Sequence, residues 1–169
     1  MMQILAAGGI APMTDGLRRA DPDNPEGYYE WEEIKSLPQD PDIIAKAHGK
    51  VTKVVSALLP HLPPEHRYKI IFMTRPAAQI ARSQETMVRN RGGEAADAAL
   101  MEETLRSHAE KILARLRALP NVDLLEVPYP ELVADPSLWI GRLADFLPGV
   151  FRSSLAATDV VRPALFRNK

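Results

Sequence analysis

The chain has 169 residues, 46% of them hydrophobic and 25% charged, a balance that suits one globular domain over residues 1–169 with a substantial core. A formal net charge of −1 gives no overall pull toward nucleic acid or an anionic membrane, so any anion site must be local. The lack of cysteine excludes disulfides, thiolate chemistry and Cys-ligated zinc, and it suits a reducing compartment, with the cytoplasm as the expected location.

In chain order, Met1 to Gly9 is apolar, but it has no basic start and ends in Gly8-Gly9, a helix stop. Neither it nor any later stretch has the length of a membrane span. Ala11 to Asp42 carries five prolines, Pro12, Pro22, Pro25, Pro38 and Pro41, and reads as an irregular excursion with one turn of helix near Trp31 to Ser36. Three runs read as buried strands: Lys50 to Leu58, rich in β-branched residues, Tyr68 to Thr74, and Val122 to Val127 ahead of Pro128. Helical spacing follows the second run, and again from about Ala95 to Leu119, where Met101, Leu105, His108, Ile112, Leu116 and Leu119 form a core-facing stripe. A last helix opens at Asp135-Pro136 and runs to about Phe146. Unbroken apolar runs joined through helices call for a parallel sheet covered on both faces, so the predicted fold class is α/β.

The stretch YKIIFMTRPAAQIARSQETMVRNRGG holds the main candidate site. Proline lacks the N–H that a first helical turn leaves unpaired, so Arg75-Pro76 puts Arg75 at the cap of a helix that starts where a strand ends. In open α/β sheets ligands bind at that edge, and the helix start adds free N–H groups and about half a unit of positive charge. Pro76, Gln79 and Ser83 share one helical stripe, with Ser83 about 10 Å above the first turn at a rise of about 1.5 Å per residue. Arg75 and Ser83 together suit a phosphate group. The opposite face, with Ala77, Ile80, Ala81, Met87 and Val88, is expected to pack on the sheet.

This segment resembles the second nucleotide-binding element of the P-loop sulfotransferase family, in which a strand ends in arginine and a serine eight residues later helps hold the 3′-phosphate of 3′-phosphoadenosine 5′-phosphosulfate (PAPS). AAGGIAPMTDG, DPDNPEGYYEWE, GKVTKVVSALLPHLP, LLEVPYPELVADPSLWIGRLADFLPG and VRPALFRNK are similar to segments of bacterial members, so the likeness runs through nearly the whole chain. The resemblance implies a three-layer P-loop-type parallel sheet flanked by helices, PAPS as co-substrate without a metal, and transfer of a sulfuryl group to the hydroxyl or amine of a small-molecule or carbohydrate acceptor. It implies cofactor-binding roles for Arg75 and Ser83.

It also implies a strand and a PRSGTS-like phosphate loop leading into the first helix. MMQILAAGG reads as the second half of that helix, and no phosphate-loop pattern occurs in the chain, so the N-terminal strand of the family is expected to be missing. Two explanations stay open. Either the start codon was assigned too far downstream, or the element and its catalysis are lost, leaving a catalytically inactive α/β module that binds nucleotide or a protein partner. No catalytic base is assignable: His48, His61, Glu30 and Glu32 are candidates, each also readable as an ordinary loop residue. Lys53 is a candidate for facing the phosphosulfate, and Arg167 for the 3′-phosphate. Tyr28, Tyr29 and Trp31 read either as an aromatic wall for the acceptor or as a satellite cluster. His61 and His66 lack the carboxylates of a zinc site. The acceptor's identity and the oligomeric state are not legible in the sequence.

Overall fold

The computed structural model describes residues 1–18, 20–21, 24, 27–90, 92–93, 97–152 and 155–161. The chain is mixed α/β, with two separate two-stranded parallel sheets among the described residues.

Helix α1, Met2–Ala7, buries Ile4 and Leu5. It stops at Gly8-Gly9 as expected: Gly8 N–H donates to the Ile4 carbonyl and Ile10 N–H to that of Leu5, while Gly9 takes the left-handed φ of 94°. Strand β1, Pro12–Met13, then pairs with β2, Val51–Thr52. The predicted strand over Lys50 to Leu58 is therefore corrected to two residues. Past Met13 the partner strand leaves the ladder, with Thr14 Oγ1 and Asp15 N–H donating to the Glu30 carbonyl, and past Val55, which is extended but 59% exposed, the chain turns into a 3₁₀ helix over Ser56–His61. Between the two strands, 3₁₀ helices over Glu32–Ser36, at the predicted turn, and over Pro41–Ala47, which was not foreseen, enclose a small core of Trp31, Ile34, Leu37, Ile43 and Ala47.

Strand β3, Tyr68–Thr74, runs parallel to β4, Val122–Pro128, in a seven-residue register from Tyr68 opposite Val122 to Thr74 opposite Pro128. Alternation sends Ile71, Met73, Leu125 and Val127 to one face and Ile70, Phe72, Val122 and Leu124 to the other. The first face packs with α1 and with Trp139, Ile140 and Leu143 of α5, Pro136–Phe146. The second packs with Leu59 and with Ile112 and Leu116 of α3, Ala98–Ala118. Both faces of this pair are thus covered, which is why its strands read as continuous apolar runs. Each fully buried leucine, such as Leu116 or Leu143, contributes about 2 kcal/mol by leaving water.

The connection from β3 to β4 runs through α2, Ala77–Asn90, and α3. Asp97 caps α3, its carboxylate accepting from the N–H groups of Ala99 and Leu100. The predicted start at Ala95 falls outside the described residues. Helix α2 packs mainly against α3 rather than on the sheet. Its Ala81 is buried, but Val88 is 38% exposed, and the side chain of Met87 lies outside the described residues. Two short helices were not foreseen, α4, Tyr129–Ala134, and α6, Leu155–Asp159. Asp135 caps α5 as predicted, accepting from the Leu138 N–H at 3.0 Å.

Tyr68 opens β3 with its hydroxyl donating to the Pro63 carbonyl at 2.8 Å. Burial, helped by the negative charge of Glu65, pushes its phenol up to about 12. In the unfolded chain the group titrates near about 10, so between those values the unfolded state has released a proton that the folded state keeps. The stabilisation is complete below pH 10 and lost as pH rises toward 12. Urea unfolding across this window should show stability falling with pH in the wild type and a flatter profile in Tyr68→Phe; equal slopes would contradict the assignment.

Candidate functional site

The register of β3 on β4 builds the first part of the site. Because Thr74 lies opposite Pro128, Arg75 and Tyr129 emerge side by side at the carboxyl ends of adjacent strands, with the guanidinium carbon 5.5 Å from the Tyr129 ring centre. The Pro76 carbonyl accepts from Gln79 N–H at 2.9 Å and from Ile80 N–H at 3.2 Å, so Pro76 rather than Arg75 is the cap residue, and the expected position of Arg75 is corrected to one residue before the cap. Its Nε donates to Gln79 Oε1 at 3.1 Å. Ser83 follows Gln79 by four residues on the same stripe, about one turn or about 6 Å further along the axis. Arg75, Gln79 and Ser83 are all half-buried. A planar guanidinium at the start of a 14-residue helix, fixed at one nitrogen by Gln79 and stacked near an aromatic ring, is suited to a phosphate.

A second group lies just past β1 and β2. The Glu30 carboxylate receives Lys53 Nζ at 3.1 Å and Arg18 NH1 at 3.2 Å, both on Oε1. The Arg18 guanidinium lies 3.4 Å above the Tyr28 ring centre, and the Tyr28 hydroxyl donates to Asp21 at 2.8 Å. Lys53 also donates to the Tyr28 carbonyl at 3.3 Å. The backbone here is fixed from β1: the Glu30 carbonyl accepts from Thr14 Oγ1 and Asp15 N–H, and the Asp15 carboxylate accepts from Glu32 N–H. That anchoring holds Tyr29 at φ 51°, a left-handed conformation rare for a bulky residue.

These contacts bear on the proposed base. Burial pushes the Glu30 carboxyl up, but the hydrogen bond and charge of Lys53, followed by the charge and hydrogen bond of Arg18, outweigh it and bring the group below the usual carboxylate value. Glu30 is therefore a weak proton acceptor engaged with two cations. Glu32 is exposed and paired with Lys35. His48 and His61 are exposed at the ends of 3₁₀ helices, and Arg167 lies outside the described residues. Trp31 is core, 4% exposed, rather than an acceptor wall, whereas Tyr28 carries Arg18.

Sequence spacing missed Arg18 and Tyr129, whose contacts depend on loop geometry and strand register. It also placed His108 in an apolar stripe, while its Nε2 lies 2.8 Å from Ser56 Oγ, a partner 52 residues away. Among the described residues no three His, Asp or Glu side chains gather as a metal-binding group, and no helix is long and apolar enough to cross a membrane. Comparison with family models, curated proteins and solved structures finds no match for this chain.

Proposed function

We propose that Arg75 and Ser83 hold the 3′-phosphate of PAPS and that the chain is part of a cytoplasmic sulfotransferase acting on a hydroxyl or amine acceptor. The observation that carries this reading is the placement of Arg75 at the end of β3, held by Gln79 on the stripe that leads to Ser83. PAPS supplies the activated sulfuryl group. The residues of this chain would bind and orient it: Arg75 through charge-assisted bonds to the 3′-phosphate, Ser83 through its hydroxyl, and the first turn of α2 through its N–H groups.

The fold we propose is one P-loop-type parallel sheet. Val51 of β2 packs in the same cluster as Ile71 and Met73 of β3 and Val127 of β4, and Val54 reaches the cluster on the other face. A further parallel strand between the two pairs would join them and bring a phosphate loop beside Arg75. The lack of any phosphate-loop pattern in these 169 residues favours a second reading, a module that binds nucleotide without transferring sulfate.

Calorimetric titration separates a 3′-phosphate site from a general nucleotide site. Adenosine 3′,5′-bisphosphate should bind at least about a hundredfold more tightly than adenosine 5′-monophosphate, the worth of two charge-assisted hydrogen bonds to the 3′-phosphate. Equal affinities would remove the 3′-phosphate role. Sulfate transfer by a protein extended through the upstream reading frame, and none by these residues alone, would favour the enzyme over the binding module.

A further inference from the structure

We propose that Lys53 and Arg18 form an oxyanion site whose resting occupant is the Glu30 carboxylate, and that a ligand bearing a sulfate or phosphate group displaces it. Two cations from distant parts of the chain meet on the Glu30 carboxylate, both on Oε1 at 3.1 and 3.2 Å, with Arg18 NH1 also 3.5 Å from Oε2. A tetrahedral oxyanion offers the same acceptor chemistry with more oxygens and more charge.

The geometry distinguishes an occupant from a structural clamp. Each cation keeps a second contact that does not involve Glu30, and both contacts are to Tyr28. The Arg18 guanidinium rests on the Tyr28 ring at 3.4 Å, and Lys53 Nζ donates to the Tyr28 carbonyl at 3.3 Å. Tyr28 is in turn fixed by Asp21 through its hydroxyl. The Glu30 backbone is held separately, its carbonyl accepting from Thr14 and Asp15. The carboxylate can therefore rotate away while the two cations, the ring and the loop stay in place. The Glu30, Lys53 and Arg18 side chains are partly open to solvent, at 29%, 40% and 41% exposure, so an incoming anion has access. Displacement exchanges one carboxylate for a ligand facing two positive charges that lie just beyond the ends of β1 and β2.

For Lys53, expected to face the phosphosulfate, the inference rests on the proposed function, but it needs no contribution from Arg75, so failure of the 3′-phosphate site would leave it standing. Its test titrates sodium sulfate and sodium phosphate, in separate arms at constant ionic strength, into the wild type, Glu30→Gln and Lys53→Met, with chloride as control. Removing the internal competitor should tighten oxyanion binding about tenfold in Glu30→Gln, because two partly exposed ion pairs no longer have to be broken. Lys53→Met should weaken it in either background. The preferred arm identifies the ligand group. Should Glu30→Gln bind no more tightly than wild type, or chloride compete as well as sulfate, Glu30 is a structural clamp and the proposal is overturned. If Glu30→Gln fails to fold, the Lys53→Met arm decides: undiminished oxyanion binding there also overturns it.

Discussion

Replacing Gly8 by alanine should destabilise the protein by about 3 kcal/mol, the upper range for forcing volume into a packed core. A Cβ at Gly8 would lie 2.0 Å from Cε2 of Phe151, 2.2 Å from Cδ2 and 2.9 Å from Cζ. Neither side can yield cheaply. Phe151 is 5% exposed within the main core, and the Arg152 N–H donates to the Gly8 carbonyl at 2.8 Å, which fixes the ring's own backbone against the end of α1. Backbone strain is not the cause, because Gly8 has the ordinary angles φ −77° and ψ 3°. Gly9 is the control: it has φ 94° and nothing within 4 Å of its would-be Cβ, so Gly9→Ala should cost only about 1 kcal/mol, through its left-handed backbone. Urea unfolding of both variants separates the two mechanisms, and adding Phe151→Leu to Gly8→Ala should recover part of the loss. A Gly8→Ala variant within about 0.5 kcal/mol of wild type would show that the helix end and Phe151 are not in close contact.

Arg75→Ala should reduce affinity for adenosine 3′,5′-bisphosphate by about a hundredfold while leaving the fold intact. The size follows from the chemistry: a guanidinium making two charge-assisted bonds to a doubly charged phosphate is worth about 3 kcal/mol, close to two decades in binding. The fold should tolerate the change because Arg75 lies outside α2, whose first bonds run from Gln79 and Ile80 to the Pro76 carbonyl. Arg75→Lys should recover only part of the affinity, since an ammonium keeps the charge but not the planar fork that both the phosphate and Gln79 engage.

Much of the framework is legible in the amino-acid order. Strands β3 and β4 are apolar on both faces because helices cover both; β3 ends at Thr74 as read, and β4 runs one residue further than read, to Pro128. Asp135-Pro136 marks α5 through a cap and a fixed φ. Elsewhere composition misleads. Val51 to Val55 is β-branched enough for a longer strand, yet its parallel partner β1 supplies only Pro12 and Met13, and a ladder cannot outrun its partner. The apolar stripe of α2 says that something covers it without saying what; the sheet is the expected partner, and α3 is the observed one. Within the candidate site, Arg75, Gln79 and Ser83 are local and could be read from helical spacing. Tyr129 depends on the β3–β4 register, and Arg18, Glu30 and Lys53 meet across 12 and 23 residues of chain, distances at which spacing carries no signal.

The nucleotide reading stands on a grip shared by Arg75 and Ser83, and calorimetric titration of adenosine 3′,5′-bisphosphate into the wild type, Arg75→Ala and Ser83→Ala tests that grip directly. The account predicts binding in the wild type, a loss of about a hundredfold in Arg75→Ala and a smaller loss, about fivefold, in Ser83→Ala, where one hydroxyl bond is removed. No binding by the wild type, or binding that neither substitution changes, would contradict it.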